Sequence, residues 1–124
     1  MRKLLLALVF LGLASASAET PFRYISDANY TATNNDYILS VVAPAANVVV
    51  TLPAVAAIQP GRPYFIIKDD TATQTVTLDG NASETIDGAT TLAVGAAGQY
   101  GALRIVSTGT AWRVISAYDS VDAT

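Results

Sequence analysis

The apolar residues of this 124-residue chain come in short segments rich in Val, Ile, Thr and Tyr, separated by Gly, Pro, Asn and Asp. Such segments are typical of β-strands, and none of those after residue 18 has the 3.6-residue period of a helix. Eight candidate strands lie at residues 37–43, 47–52, 63–68, 73–78, 84–87, 90–94, 100–107 and 111–117. We therefore predict an all-β fold, a small antiparallel β-sandwich or jelly-roll-like barrel of about eight short strands.

Several candidate strands alternate apolar and polar residues, which makes one face of each strand apolar. In residues 111–117, Trp112 and Val114 share one face and Arg113 lies on the other. The apolar faces of two sheets then pack against each other to form the core of a sandwich. We predict that the core contains Val50, Leu52, Ile66, Ile86, Leu92, Trp112 and Val114.

Turn residues occur where these strands must reverse direction. Asp87-Gly88 is typical of a two-residue type I′ turn, in which both residues have positive φ. Gly109 lies in the sequence Ser-Thr-Gly-Thr between two apolar segments, which predicts a second hairpin. Gly61 follows Pro60 and is expected to close the loop before the next strand. Hairpins join antiparallel strands, so we expect antiparallel pairing.

The N-terminus has the three parts of a secretory signal peptide. Arg2 and Lys3 precede an unbroken apolar run at residues 4–13, and the small residues at 14–18 end in Ala-Ser-Ala. The run is too short to span a membrane as a helix, which takes about 20 residues. We predict cleavage after residue 18 and export, with the protein secreted or held at a cell or virion surface. A buried N-terminal helix and an uncleaved anchor are the alternatives.

Three further segments follow the signal peptide. Residues 19–35 contain polar turn residues and isolated aromatic residues, and we interpret them as an extended N-terminal arm or a pairing strand. Residues 36–118 contain all the candidate strands and form the predicted β-sandwich domain. Residues 119–124 have no apolar period and are predicted to be a flexible tail.

The sequence contains neither histidine nor cysteine. It therefore has no Ser-His-Asp triad, thiolate nucleophile, disulfide, or metal site built on His or Cys. Carboxylates remain, and those near turns are interpreted as turn formers rather than as calcium ligands or a glycosidase pair. Lys68 is expected to form a surface ion pair with Asp69 or a neighbouring carboxylate. We predict no enzymatic activity, no catalytic residue, no cofactor and no metal site.

Charge and apolar content limit the partners of the chain. Cleavage after residue 18 removes Arg2 and Lys3 and leaves five basic and ten acidic residues. The basic residues that remain are scattered, so we expect no binding to nucleic acid, and an anionic membrane is disfavoured. The chain is 52% hydrophobic and has no disulfide. A domain of this size is then expected to bury part of its apolar surface against another chain.

Six stretches of the sequence, taken in order, resemble a small β module of tailed-bacteriophage tail-fibre, appendage and capsid-decoration proteins. They are YTATNNDYILSV at 30–41, VVVTLP at 48–53, PGRPYFIIKD at 60–69, TVTLDG at 75–80, ETIDGATTL at 84–92 and STGTAWRVI at 107–115. The resemblance covers roughly residues 30–117. It implies a structural or host-attachment subunit without enzymatic activity, assembled with other virion subunits and favouring a homotrimer.

Other interpretations remain open beside this one. The signal peptide favours a cell-surface protein built on the same module as an alternative to a virion component. A secreted carbohydrate- or receptor-binding β-sandwich is the second class, because exposed tyrosines can stack on sugar rings or bind a surface glycan. A carboxylate hydrolase is the third class. A broad apolar patch would favour the assembly subunit, and a shallow groove with exposed aromatic residues would favour the binding module.

Overall fold

The structure is a computed structural model, and it describes residues 21–119. The predicted signal peptide at residues 1–18 and residues 120–124 of the predicted tail lie outside this range. Within it, a single 3-10 turn at Val55–Ala57 accompanies nine strands. These are β1 (Phe22–Ser26), β2 (Tyr30–Thr31), β3 (Ile38–Val42), β4 (Val48–Thr51), β5 (Pro63–Lys68), β6 (Val76–Asp79), β7 (Thr91–Ala93), β8 (Gly101–Ser107) and β9 (Trp112–Asp119).

The strands form two sheets that share one apolar core. The five-stranded sheet has the order β1-β3-β5-β8-β9, and the four-stranded sheet has the order β2-β4-β6-β7. The prediction of a small all-β sandwich is confirmed. No helix among residues 21–119 is long and apolar enough to cross a membrane.

The pairing of the strands is mixed, whereas the turn residues had predicted antiparallel pairing. β1, β3 and β5 are parallel to one another, and so are β2, β4 and β6. The remaining pairs, β6 with β7, β5 with β8 and β8 with β9, are antiparallel. The chain crosses to the other sheet after each of its first five strands, so strands that become neighbours within one sheet run in the same direction. Turn residues indicate the direction of pairing only for two strands that are consecutive in the sequence.

The N-terminal segment belongs to the sandwich. Within the predicted arm, residues 22–26 form β1 and residues 30–31 form β2, and these strands pair with β3 and β4 of the same chain. Ile25 and Ala32 are buried in the core. The N-terminal segment is therefore already paired within its own domain, in contrast to an extended arm that could donate a strand to another copy.

The predicted core residues lie between the sheets. Val50, Leu52, Ile66, Ile86 and Trp112 are fully buried, and Leu92 and Val114 are half-buried against the same cluster. The Trp112 ring meets the ring of Tyr64 edge to face, with 5.5 Å between the ring centroids. Such aromatic pairs stabilise a core beyond the area that they bury.

The predicted turn glycines, and Asp87 with them, have positive φ. Asp87 and Gly88 have φ of 51° and 88°, as a type I′ turn requires, and Ile86 and Ala89 exchange two backbone hydrogen bonds around them. Gly61 and Gly109 have φ of 87° and 95°. Gly109 lies in the hairpin between β8 and β9.

The segment 84–87, predicted as a strand, forms only isolated bridges. Ile86 bridges to Ala89 across the turn and to Trp112 at the start of β9. The strand after the turn, β7, pairs with β6 instead. The tight turn is therefore present. The segments before and after it pair with different strands, so they do not form the long hairpin that the turn predicted.

Candidate functional site on the outer face of the five-stranded sheet

The register of the five-stranded sheet places two rows of side chains on its outer face. In a β-strand, alternate side chains point to opposite faces, so residues paired across strands share a face. The row that includes Leu39, Ile66 and Leu103 points to the core. The rows on either side of it consist of Phe22, Ile38, Phe65, Arg104 and Ser116, and of Tyr24, Ser40, Ile67, Ala102 and Tyr118.

These two outer rows are unusually apolar. Phe22, Tyr24 and Tyr118 are 53%, 60% and 49% exposed. Ile38, Phe65 and Ile67 lie between them and are half-buried. A sheet whose inner face forms the core usually has a polar outer face. We name these six residues the aromatic face, and such an exposed apolar surface is typical of a contact with another molecule.

Phe65 is held in place at the centre of the aromatic face. The Tyr37 ring meets it edge to face with 5.4 Å between centroids, and the Arg104 guanidinium carbon lies 5.5 Å from its ring centroid. Within residues 21–119, Arg104 forms no salt bridge, and its buried Nε has no hydrogen-bond partner. The face therefore combines flat apolar rings with one cation that no carboxylate of the described chain neutralises.

A shallow depression of about 230 Å³ lies beside Phe65 on this face. Arg104, Ser116 and Tyr118 contribute to its lining, together with Ala102. Aromatic side chains and an arginine can stack on a flat ring and donate hydrogen bonds to its oxygen atoms. The depression thus has the chemistry to contact either a neighbouring protein side chain or a sugar ring.

A buried polar network joins the two sheets where β1 faces β2. The Arg23 guanidinium lies over the Tyr30 ring, 5.3 Å from its centroid, and its Nε is 3.5 Å from the Asp36 carboxylate. The Tyr30 hydroxyl donates to Asp36 at 2.6 Å, and the Thr33 N–H donates at 2.9 Å. Asp36 is only 2% exposed. Its carboxylate therefore ties β1 and β2 to the loop that leads into β3.

The charge state of Asp36 follows from these contacts. Burial alone would raise its pKa, but the hydrogen bonds from Tyr30 and Thr33 and the charge of Arg23 outweigh burial and hold the pKa below its ordinary value. Burial and the hydrogen bond to Asp36 raise the pKa of Tyr30. Asp36 is therefore charged at neutral pH and Tyr30 keeps its proton.

Arg62 extends this network toward the core. Its guanidinium donates to the carbonyl oxygens of Asn34, at 2.6 Å, and of Asp36, and it lies 4.8 Å from the centroid of the Tyr64 ring. The Tyr64 hydroxyl donates to the Thr33 carbonyl at 2.8 Å. All these interactions fix the loop at residues 33–36, and none of them points a reactive group into a cleft. The arrangement is that of a structural network.

Lys68 is buried, which corrects the prediction of a surface ion pair. It is 1% exposed, and its Nζ donates to the Asp70 carboxylate at 3.0 Å and to the carbonyl oxygens of Asp70, Ala72 and Gln99 at 3.0 to 3.1 Å. Asp69 instead accepts a hydrogen bond from the Ser40 hydroxyl. The alternation of β5 places Lys68 on the inward face with Tyr64 and Ile66, and this parity was a signal in the sequence that could have revealed its burial.

Most carboxylates with defined contacts accept hydrogen bonds from backbone N–H groups. Asp27 accepts from Ala45 and Ala46, and Glu84 accepts from Val55 at 3.0 Å. Asp70 accepts from Ala43 and Asp87 from Val114. No group of three or more acidic residues among residues 21–119 is arranged to hold a metal ion. These four carboxylates therefore hold backbone N–H groups of the loops and strand ends.

Comparison of the sequence with models of known protein families gives no match. Comparison with curated proteins gives none either.

Proposed function

We propose that this domain is a non-enzymatic structural or attachment subunit of a surface assembly, and that the aromatic face is the surface by which it contacts its neighbours. The observation that carries the proposal is the exposure of Phe22, Tyr24 and Tyr118 on a sheet whose inner face already forms the core. Apolar residues arranged on one flat surface favour contact with a second apolar surface.

The strength of such a contact can be estimated from its aromatic residues. Covering the exposed half of one aromatic side chain removes roughly 100 Å² from water and contributes about 2 to 3 kcal/mol. Phe22, Tyr24 and Tyr118 together therefore contribute about 6 to 9 kcal/mol, against an association cost of about 4 to 15 kcal/mol. A single pairwise contact is then weak, and several contacts per subunit are needed for stability. A multi-subunit assembly provides them.

The resemblance to phage fibre and decoration modules supports the same proposal. It implies a module that works through contacts between subunits, with a homotrimer as the favoured arrangement. The predicted export signal is compatible with a cell-surface assembly as well as with a virion. The proposal concerns the role of the aromatic face and applies to both settings.

A second candidate function is the binding of a surface glycan. The shallow depression beside Phe65 favours it, because Arg104 and Tyr118 line a site open to a flat ring. In this case the domain is a monomeric carbohydrate- or receptor-binding module. The aromatic face then contacts sugar rings by stacking, with hydrogen bonds from the Arg104 guanidinium.

Sedimentation velocity over a dilution series distinguishes these two functions. We expect the purified protein to self-associate, and Tyr24→Lys to raise the concentration at half-association at least about tenfold, since the loss of 1.4 kcal/mol has that effect. Thr77→Lys is the matched control, because it introduces the same side chain on the outer face of the four-stranded sheet.

Two results would contradict the proposal. One is a strict monomer at high concentration in all three proteins, which would leave the glycan-binding module as the better interpretation. The other is an equal effect of Tyr24→Lys and Thr77→Lys, which would place the contact elsewhere. Binding of the monomer to immobilised polysaccharides, with loss in Arg104→Ala, would then support the glycan function.

A further inference from the structure

Arg104 differs from the other basic residues of the described chain. Arg23, Lys68 and Arg113 each lie within 3.5 Å of a carboxylate oxygen, and Arg62 donates hydrogen bonds to two backbone carbonyl groups. Among the basic residues of 21–119, Arg104 alone forms neither an ion pair nor a hydrogen bond, and its Nε is buried without a partner. A guanidinium that is partly removed from water and has no anion gains more from a carboxylate than a fully solvated cation does.

The surroundings of Arg104 supply no negative charge to it. The two outer rows of the five-stranded sheet contain no acidic residue. Asp69 lies four residues after Phe65, about 13 Å along an extended chain, and exposed charges at that distance are largely screened. Asp87 lies beside β9 and already pairs with Arg113. No carboxylate of the described chain therefore neutralises Arg104.

The depression beside Phe65 combines this cation with flat rings and hydroxyl groups. Arg104, Phe65 and Tyr118 line it, and the edge of the Tyr37 ring holds Phe65 in place. Ser116 also contributes to the lining, and both Ser116 and Tyr118 are exposed. The volume of about 230 Å³ exceeds the roughly 150 Å³ that hold a benzene ring, so one substituted six-membered ring fits.

These groups together indicate the class of ligand. A carboxylate matches the charge of Arg104, a flat ring matches Phe65 and Tyr118, and hydroxyl groups match the hydroxyl of Ser116. No protein side chain combines a six-membered ring with a carboxylate, whereas a uronic acid does. We propose that the depression binds a uronic acid residue of a surface glycan, with the sugar carboxylate on the Arg104 guanidinium and the sugar ring against the two aromatic side chains.

This proposal deepens the glycan-binding function, the second candidate above, and rests on it. Its test is separate from that of subunit assembly. The depression is lined by residues of β5, β8 and β9, while Phe22 and Tyr24 lie on β1 at the opposite edge of the sheet. Three strand spacings separate β1 from β8, which is roughly 14 Å.

Titration of the isotopically labelled protein with three small ligands tests the proposal. Methyl glucuronide carries the ring and the carboxylate, methyl glucoside carries the ring alone, and acetate carries the carboxylate alone. Amide chemical shifts give each dissociation constant, at protein concentrations below those at which sedimentation detects association. We expect the glucuronide to bind at least about tenfold more tightly than either of the others. The shift changes should concentrate at residues 65, 102–104 and 116–118.

Substitutions of two arginines assign the carboxylate to Arg104. Arg104→Gln should weaken the glucuronide at least about tenfold and leave the glucoside unchanged, because it removes the charge-assisted hydrogen bonds alone. Arg104→Lys should recover part of the loss, because it keeps the charge without the two-pronged geometry. Arg113→Gln is the matched control. It removes the same charge from the same side of the sheet, where Asp87 already neutralises it, and should leave the affinity unchanged.

The possible results separate this proposal from the function on which it rests. Equal binding of the glucoside and the glucuronide would overturn the preference for an acidic sugar and leave glycan binding in place. Binding of neither sugar would overturn both. If acetate binds as tightly as the glucuronide, Arg104 accepts any carboxylate, including one from a protein, and the proposal is wrong. It is also wrong if Arg104→Gln and Arg113→Gln weaken the glucuronide equally, or if Asp122→Asn strengthens binding, which would show that a carboxylate of this chain occupies the site.

Discussion

The two ends of the sandwich differ in how the sheets are joined. Where β1 faces β2, Arg23 reaches from one sheet to Tyr30 of the other, and the buried Asp36 carboxylate holds both. At the opposite end, β7 and β9 diverge around a cleft lined by apolar side chains and two carboxylates. Polar groups seal the first end, and apolar groups remain accessible at the second. We call the end with the Asp36 network the closed end and the end with the cleft the open end.

The largest expected effect tests the core that both ends share. Trp112 is fully buried and packs against Tyr64, so Trp112→Ala should lower the free energy of unfolding by about 3 to 5 kcal/mol. Urea denaturation followed by far-ultraviolet circular dichroism measures the loss. A cost below about 0.5 kcal/mol, the range of surface substitutions, would place Trp112 outside the core and contradict a common interior.

A second pair of substitutions makes the same change at each end. Asp36→Asn at the closed end removes a buried charge that accepts three hydrogen bonds and should cost about 2 to 3 kcal/mol. Asp87→Asn at the open end should cost less than about 1 kcal/mol, because Asp87 is exposed and asparagine accepts positive φ. Equal costs in urea denaturation would remove the distinction between the ends.

The pH dependence of stability sharpens this result. Because the folded-state pKa of Asp36 is lowered, its stabilising contribution is fully present above the unfolded value of about 3.9 and is lost as pH falls through the folded pKa. The pKa of Asp70 is also lowered, since Lys68 and the Ala43 N–H outweigh the opposing effect of burial. Asp36→Asn should therefore lose less stability than the wild type between about pH 4 and pH 2, with the Asp70 contribution remaining. If the stability of the wild type and of Asp36→Asn fell equally with pH, the ionisation of Asp36 would not contribute to folding.

The two ends also differ in how tightly their side chains are packed. Ala32 is buried at the closed end, and Ala117 is exposed in the open cleft. Ala32→Leu should cost about 1 to 3 kcal/mol by overpacking, while Ala117→Leu should change stability by less than about 0.5 kcal/mol. Thermal unfolding of both variants measures the difference. A large cost for Ala117→Leu would mean that the cleft is closed in solution.

The sequence allowed the strands and the buried residues to be predicted because their signal is local. Alternation with a period of two marked Ile66 and Trp112 as core residues, and Asp87-Gly88 specified its turn within two residues. The parallel pairing was not predictable in this way. It depends on crossings that bring Phe22 beside Ile38, and Ile38 beside Phe65. No turn signal carries that information.

The candidate site was less predictable than the fold, for the same reason. Tyr24 and Tyr118 lie at the two ends of one row, and the residues between them come from three other strands. Their common face follows from pairing that only the folded chain shows. The Asp36 network likewise joins residues far apart in sequence, from Arg23 to Arg62. Lys68 differs, because the alternation of residues along β5 already placed Lys68 on the inward face of the strand.

The smallest expected effect compares two arginines that each pair with an aspartate. Arg113 lies 3.0 Å from Asp87 at the open end, and Arg23 lies 3.5 Å from Asp36 at the closed end. Distance alone would make the Arg113 pair the stronger. Burial reverses this order, because the Asp36 side chain is 3% exposed and the Asp87 side chain is 42% exposed.

Arg23→Gln should therefore cost about 1 kcal/mol, since it leaves a buried carboxylate without its cation and removes the contact with the Tyr30 ring. Arg113→Gln should cost less than about 0.5 kcal/mol, because water screens an exposed pair. Urea denaturation at low and at high salt measures both. Added salt should reduce the small effect of Arg113→Gln further and leave most of the Arg23→Gln effect, since buried pairs are screened less. A larger loss in Arg113→Gln would show that distance rather than burial decides which end of the sandwich is held more firmly.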